Sequence, residues 1–390
     1  MSRLALALAL VAACKSHRPS EHDEPSAAVH IAAPIPAGPW PELATFTHVL
    51  AVRDIALPVQ AKTPRFDTGG PVLVGDIAVM SSSQFGFVAV DYRTGQIAWA
   101  KPAGLHVAPP VARGGDFVLI GECINPPDVP DGERLFGCLR VVTPTGADKN
   151  YVAIHARAEG PLQDFATATG PEATWATDDR TIVWRRDTAT VAVDTVTGVA
   201  TAVAADDPPL VVRSKGRTWQ ISRDKDGFIS ATGKPSWRTE NPYDALIGAV
   251  YMPDQTPIVR LIHARPWAKQ PEMLVADLDA TGSMNGTVAQ PFPGIELLAH
   301  GVDSVGNTAL AVRLDASLQR DYIIGYAANA LLVWVYELPQ VPRADAVGLA
   351  VTPDAVIVFH DGDTLTVLPD VSAPPTAPGA IRPPSENATP

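Results

Sequence analysis

Short runs of β-forming residues, separated by turn residues, dominate the central part of the chain. In the clearest stretch, which runs from Gly70 to Trp99, turns are predicted at Gly75-Asp76 and at Thr94-Gly95. Around these turns the pattern predicts four short antiparallel strands: Val72–Val74, Ile77–Ser81, Phe87–Asp91 and a last strand that begins with Ile97–Trp99. Four such strands in so short a stretch predict one blade of a repeated β-fold.

The turn dipeptide recurs along the chain. Thr-Gly pairs with second residues Gly95, Gly146, Gly198, Gly233 and Gly282 follow one another at steps of 51, 52, 35 and 49 residues. A period in this range indicates repeated four-stranded units, and hence an all-β β-propeller. Candidate third strands of the blades, about 46 residues apart on average, are centred near Ala89, Arg140, Ala192, Ile229, Ala276, Ile324 and Thr366. The spacing predicts seven blades, with eight possible if one copy has decayed.

Two further segments fit this plan. Thr45–Leu57 has the pattern of an extra strand, and we expect it to close the ring beside the Val356–Leu368 hairpin, because closure removes exposed sheet edges. Tyr322–Tyr336 is the most apolar run of the core, but it contains Asn329 and is shorter than a membrane span. We interpret this run as two buried strands that meet at Ala328-Asn329.

One blade carries a more specific signature. The segment Ala89-x-Asp91-x-x-Thr94-Gly95-x-x-x-Trp99 resembles the tryptophan-docking repeat of the pyrroloquinoline-quinone (PQQ)-like β-propellers. The resemblance implies that the indole lies between adjacent blades. Two other tryptophans keep its spacing: Trp237, which follows Gly233, and Trp334, which follows Ala330. The repeat implies a fold and, by itself, no catalytic site, and we interpret Asp91 as a turn former.

The first residues have the pattern of a secretion signal. Leu4–Ala13 contains no polar residue and is too short to span a membrane as a helix. Val11-Ala12-Ala13-Cys14 resembles the bacterial lipobox, which implies cleavage before Cys14 and attachment of diacylglycerol to its sulfur. A plain signal peptide with an incidental cysteine is the alternative. Lys15 in the next position favours the outer membrane, because an Asp there is the usual signal for retention in the inner membrane.

Composition divides the rest of the chain. After the signal peptide, residues 1–13, we predict a disordered tether at 14–42, a propeller at 43–370 and a Pro-rich disordered tail at 371–390. The formal net charge is −12, and the core has no Lys/Arg cluster. The negative net charge and the lack of a basic cluster argue against nucleic-acid binding and against a polybasic membrane patch. The lipid is therefore the predicted membrane contact.

Two cysteines remain after Cys14. Cys123 and Cys138 stand at the two bases of a long Pro-rich loop between the second and third strands of the second blade. A cross-strand disulfide there suits an oxidising envelope compartment, and it holds the loop rigid. Two free thiols in a metal site are the alternative, although no His lies near them in the sequence.

Motifs for catalysis are not found. The chain has no Gly-rich phosphate loop, no His-Glu-x-x-His and no Gly-x-Ser-x-Gly elbow. Asp224–Gly227 and Asp361–Asp363 place carboxylates close together, but we interpret both as hairpin turns. The quinone-dependent dehydrogenases that share the repeat carry adjacent cysteines and a calcium-binding set, onto which no residues here align. We therefore expect no enzyme activity, no cofactor and no metal.

The favoured hypothesis is a non-catalytic, lipid-anchored propeller that binds envelope proteins, with the outer membrane as the favoured location. Its plan is similar to that of the propeller lipoproteins of the outer-membrane barrel-assembly machinery. We expect exposed Arg134, Leu135 and Phe136, beside the disulfide, to contact the partner. Two alternatives stay open: a propeller that binds a small molecule or glycan in its central channel, and a degenerate PQQ-dependent dehydrogenase.

Overall fold

The computed structural model describes residues 53–56 and most of the chain from 70 to 369. The gaps within that range are 83–85, 105, 170–171, 205–208, 215–216, 225, 234–235, 241, 244, 252–256, 266–271, 280, 292–295, 304, 316–319, 329–331, 339–346 and 361–363. The predicted signal peptide, the tether, Cys14 and the C-terminal tail lie outside the described residues, as do Asp361–Asp363.

The described residues form seven four-stranded antiparallel sheets, the blades of a β-propeller. Blade 1 contains β2 (Val72–Val74), β3 (Ile77–Ser82), β4 (Gly86–Asp91) and β5 (Gln96–Lys101). Blade 2 contains β6 (Val111–Arg113), β7 (Asp116–Gly121), β8 (Arg134–Val142) and β9 (Asp148–Ala156). Blade 3 contains β10 (Glu172–Ala176), β11 (Thr181–Arg186), β12 (Ala189–Asp194) and β13 (Ala200–Ala202). A short helix, α1 (Pro161–Thr167), joins blades 2 and 3.

The second half of the ring repeats this order. Blade 4 contains β14 (Leu210–Ser214), β15 (Arg217–Arg223), β16 (Ile229–Thr232) and β17 (Trp237–Arg238). Blade 5 contains β18 (Ala245–Tyr251), β19 (Pro257–Arg265), β20 (Glu272–Leu278) and β21 (Met284–Pro291). Blade 6 contains β22 (Glu296–Val302), β23 (Thr308–Asp315), β24 (Arg320–Tyr326) and β25 (Leu332–Glu337). Blade 7 contains β26 (Gly348–Val351), β27 (Ala355–His360), β28 (Thr364–Pro369) and, from the other end of the chain, β1 (Arg53–Ala56).

The prediction of seven blades is confirmed. All seven predicted centres, from Ala89 to Thr366, fall within the third strand of their blade. In the apolar run at Tyr322–Tyr336, β24 pairs antiparallel with β25, as predicted. Asn329, where the two strands were predicted to meet, lies outside the described residues. In the described part of the chain, none of the helical structure has the length and hydrophobicity that a membrane span requires.

The predicted ring closure is also confirmed. Strand β1 lies antiparallel to β28, with Arg53 opposite Val367 and Ala56 opposite Thr364. The outermost strand of blade 7 therefore comes from the opposite end of the chain, which joins the two ends through sheet hydrogen bonds. Of the predicted strand, 45–52 and residue 57 lie outside the described residues.

The core consists of apolar layers between neighbouring blades, and blade 1 is buried on both faces. In blade 1 the side chains of Ala78, Met80, Val88 and Val90 pack in a cluster with blade 7. Their alternating neighbours, which include Val79 and Phe87, pack in a cluster with blade 2. Alternate side chains of a strand point to opposite faces, so a strand buried on both faces reads as a continuous apolar run.

One inter-blade contact is polar. Arg260, on the second strand of blade 5, is fully buried, and its Nε and Nη2 donate to the two carboxylate oxygens of Asp277 at 2.8 and 3.0 Å. The same guanidinium reaches into blade 6, where it donates to Gly306 O at 2.8 Å, Thr308 Oγ1 at 2.8 Å and Ala328 O at 2.7 Å. All five N–H groups of the guanidinium therefore have acceptors.

Candidate protein-interaction site

The outer hairpin of blade 2 is longer than the corresponding hairpin of blade 1. Strands β8 and β9 have nine residues each, whereas β4 and β5 have six. The second strand, β7, pairs with β8 only as far as Gly121 opposite Cys138. Arg134–Gly137 therefore extends past the end of β7, and residues 122–133 form a loop at that end of the blade.

A disulfide closes the base of this loop. Cys123 and Cys138 are bonded, and their Cα atoms are 5.0 Å apart. Because Cys138 lies on β8 opposite Gly121, the bond fixes the start of the loop to the sheet. The loop opens on the face opposite to the Thr-Gly hairpins, since successive connections in an antiparallel blade alternate between its two ends.

Three further contacts hold the loop. Tyr151 Oη donates to Ile124 O at 3.1 Å, which ties the segment beside the disulfide to the outermost strand. At the other end, the carboxylate of Glu133 contacts His155 Nδ1. The N–H of Glu133 also donates to Pro130 O at 3.1 Å and closes a turn. The loop is thus fixed at both bases, by one covalent bond and by side chains of the same strand, β9.

The predicted contact residues differ in exposure. Arg134 is exposed and Leu135 is half-buried, but Phe136 is only 9% exposed, so the prediction that Phe136 is an exposed contact is wrong. The physical reason is helix α1, which the sequence analysis did not predict: Phe165 on this helix packs edge-on against Phe136, with ring centroids 5.8 Å apart. Phe136 anchors the hairpin to the core.

The loop carries several further exposed side chains. Ile124 is 42% exposed, and Pro126, Asp128, Pro130 and Asp131 are also exposed. The loop carries four carboxylates and no basic residue between positions 122 and 133. Sequence reasoning found the loop but placed the contacts on β8, because the burial of Phe136 depends on a helix that is distant from it along the chain.

The structure places Trp99 between blades 1 and 2. Its indole Nε1 donates to Pro144 O at 2.9 Å in the third hairpin turn of blade 2, and its ring lies edge-on to Phe117. Gly146 of the same turn lies so close that a Cβ there would come within 2.8 Å of the indole. The Thr-Gly turn of one blade is thus the docking surface for the side chain of the blade before it.

The other two tryptophans occupy comparable places. Trp237 of blade 4 lies against Gly282, in the third hairpin turn of blade 5. Trp334 of blade 6 is 3% exposed and packs in a cluster that includes Leu349 and Val358 of blade 7.

Asn150 takes this role in blade 2, where no tryptophan stands at that position. It follows Gly146 by four residues, as Trp99 follows Gly95, and its Nδ2 donates to Thr195 O at 2.7 Å in the turn of blade 3. An amide therefore replaces the indole as the donor to the next blade. Sequence reasoning missed this residue because it searched for Trp, whereas a polar donor at the same spacing was the available signal.

Carboxylates stabilise the hairpin turns. Asp91 is confirmed as a turn former, because its Oδ1 accepts the N–H groups of Arg93 and Thr94 at 2.9 and 3.0 Å. Asp224 acts in the same way on Asp226 and Phe228, which confirms the interpretation of that segment as a hairpin turn. In the residues that the structure covers, no group of three or more His, Cys, Asp or Glu side chains could hold a metal ion.

Asp194, in the third hairpin turn of blade 3, makes the stability of the propeller sensitive to acid. Burial opposes ionisation of Asp194, but bonds from the N–H groups of Thr197 and Val196 and from Arg180 outweigh it and lower the pKa from 3.8 to about 2. Because the pKa of Asp194 is lower in the folded state than in the unfolded state, ionised Asp194 stabilises the fold. This stabilisation is complete above pH 3.8 and is lost as the pH falls towards about 2.

We expect the free energy of unfolding of the wild type to fall across this window, and that of Asp194→Asn to fall less. The amide keeps an acceptor oxygen for the turn but does not titrate. Urea denaturation at a series of pH values measures both slopes, and equal slopes for the two proteins would contradict the assignment.

The innermost strands approach one another closely on one side of the ring. Gly248 lies against Val302, Gly301 lies against Leu349, and Gly348 lies against the Cα of Gly70. At Gly248 and Gly348 a Cβ would come closer than real Cβ contacts allow, and at Gly301 it would meet Leu349 at 3.0 Å, a tight contact. The first strands of blades 5, 6 and 7 therefore each pack closely against the next blade at these glycines.

The fold and the site define a seven-bladed β-propeller with a disulfide-bonded loop on its second blade. No family model matches the chain, and no curated protein matches it. Among solved structures, the chain is similar to BamB from Moraxella catarrhalis, with 16% identity over 77% of this chain and 85% of BamB and a TM-score of 0.41.

Two further similar structures are propellers of another kind. The β-propeller domain of Cps50 (Swd1) from Myceliophteria thermophila has 8% identity over 80% of this chain and 99% of that domain, with a TM-score of 0.47. The C-terminal WD40 domain of Sif2 has 13% identity over 81% of this chain and 98% of that domain, with a TM-score of 0.46. The seven sheets themselves carry the fold assignment, and membership of the PQQ-like family stays a prediction.

Proposed function

We propose that this chain is a non-catalytic scaffold that binds other proteins through its second blade while a lipid holds it at the cell envelope. The observation that carries the proposal is the loop at 122–133, which is bonded to the sheet at Cys123–Cys138 and held at its far base by Glu133 and His155.

A rigid protruding loop suits protein binding for an energetic reason. Ordering a loop on binding costs about 0.5–1.5 kcal/mol for each immobilised side chain, in addition to the backbone entropy. A loop that is already ordered avoids much of that cost. The exposed Ile124 beside the disulfide then offers apolar surface from a fixed backbone, since Tyr151 holds its carbonyl.

The anchor is the second part of the proposal. The lipobox-like segment before Cys14 supports lipidation, and residues 14–42 then act as a tether between the lipid and the propeller. The residue after Cys14 is Lys15, which favours the outer membrane. Metabolic labelling with a fatty acid and membrane fractionation of wild type and Cys14→Ser test this step, and an unlabelled wild-type protein would contradict it.

The scaffold role is tested by crosslinking the lipidated protein in its own cells and identifying what is purified with it. We expect a reproducible set of envelope proteins that is lost when residues 124–131 are replaced by a short Gly-Ser turn. A matched control changes one side chain on the other face, Val305→Ser in the 1–2 turn of blade 6, where Val305 is 50% exposed. This control leaves in place Gly306 O, which accepts from Arg260. No protein partner for a folded, anchored chain would contradict the proposal.

Removal of the disulfide tests the role of the rigid loop. For Cys123→Ser/Cys138→Ser we expect a loss of about 3 kcal/mol in the free energy of unfolding, as chain entropy predicts for a loop of this length. Amide hydrogen exchange should rise at 122–133 and stay unchanged in blades 4 to 7. Partner binding should weaken, and unchanged binding by this variant would remove the loop from the proposed site.

A further inference from the structure

The solvent-facing part of the disulfide-bonded loop at 122–133 is a proline-rich segment. Residues 126–130 read Pro-Pro-Asp-Val-Pro and have no helix or strand structure. Their exposure alternates: Pro126, Asp128 and Pro130 are exposed, while Pro127 and Val129 are half-buried. Two prolines and one carboxylate between them therefore form the solvent-facing row.

The conformation of this segment is restricted before any partner arrives. A proline ring fixes its own φ near −65°, and the residue before a proline is biased towards extended or polyproline II backbone. Both rules together cover Pro126, Pro127, Val129 and Pro130. The restraints at the loop bases add to this, so the ends of the segment are also fixed.

We propose that Pro126–Pro130 is a preformed proline-rich ligand for a partner domain with an aromatic-lined groove and a cationic side chain opposite Asp128. Grooves lined by aromatic side chains bind extended Pro-rich segments, because the ligand loses little entropy on binding. We expect the partner to be cationic at this point because the loop carries four carboxylates and no basic residue. This inference rests on the proposed scaffold function and names the chemistry of the partner.

The test uses the full-length anchored protein with a photo-crosslinking amino acid at position 128 and, as a control, at Val305. We expect the crosslinks from position 128 to map to aromatic residues with Lys or Arg nearby on one partner. That partner is then purified and titrated against the full chain and its variants.

Pro126→Ala/Pro130→Ala, which changes the two exposed prolines, should weaken the affinity about tenfold, and Asp128→Lys should weaken it by at least as much. Pro353→Ala, at an exposed proline in a turn of blade 7 on the other face, should leave it unchanged. Hydrogen exchange of blade 2 checks that the variants stay folded.

Equal crosslinking from positions 128 and 305, or wild-type affinity of the double proline variant, would overturn the inference. Crosslinks from position 305 alone would overturn it and would move the binding surface of the scaffold from the second blade to the other face. An absence of crosslinks from every position would overturn both.

Discussion

Replacing Arg260 by Met is expected to remove about 3–5 kcal/mol from the free energy of unfolding. The guanidinium is fully buried and makes five hydrogen bonds, two to Asp277 in its own blade and three to blade 6. The Met side chain fills much of the volume but leaves a largely buried carboxylate and two carbonyl oxygens without these donors. Breaking one partner of a buried pair is costly for this reason.

Arg180→Met is the matched control, since Arg180 pairs with Asp194 at the surface, where its side chain is 61% exposed. We expect a change within about 1 kcal/mol for that variant. Arg260→Lys should fall between the two, because it keeps the charge but has only three donors. Urea denaturation measures all three, and an Arg260→Met protein as stable as Arg180→Met would show that the polar contact between blades 5 and 6 is not needed.

The repeat unit was predictable because its signals are local. Each third strand is a short apolar run, and Gly95, Gly146 and Gly282 have positive φ values in the turns that follow, where glycine has no steric penalty. Ring closure was predictable because Thr45–Leu57, before the first complete blade, has the pattern of an extra strand. Both inferences need only residues that are close in sequence and a rule that sheet edges are covered.

The contacts between blades were less predictable because they join residues about one repeat apart. Asn150 meets a turn 45 residues away, and Arg260 meets Thr308 at a separation of 48 residues. Neither the amide nor the guanidinium belongs to the tryptophan pattern. Likewise, nothing local to Phe136 indicates that Phe165 on helix α1 will cover it.

Different side chains in different blades make the contacts between blades, which explains how a degenerate repeat still forms a ring. The outer strand of a blade contacts the third turn of the next blade through an indole in Trp99 and through an amide in Asn150. Blade 5 also contacts blade 6 from its second strand, through the buried guanidinium of Arg260. The geometry of the turn is therefore shared more widely than the side chain that docks on it. Gly at the turn is the common element in blades 2, 3 and 5.

Gly198→Ala is accordingly expected to destabilise the propeller by about 3 kcal/mol or more. Gly198 has φ 78°, and an added Cβ would fall well inside contact distance of Ala153 O on blade 2. The obstacle is a backbone atom of β9, so it cannot rotate away. Movement of the turn would also strain the bond from His155 N to Gly198 O, which is 3.0 Å long.

Two other glycines provide a graded comparison, with the free energy of unfolding of all three variants measured by urea denaturation. Gly75 has φ 59° with open space at its Cβ position, so Gly75→Ala should show the backbone strain alone, about 1–2 kcal/mol. For Gly146→Ala we expect a loss between those of the other two variants, because its Cβ would meet the Trp99 side chain at 2.8 Å and not a backbone atom of a strand. The order Gly75, Gly146, Gly198 in loss of stability follows from close packing between blades, and an equal loss at all three positions would mean that backbone strain alone selects glycine in these turns.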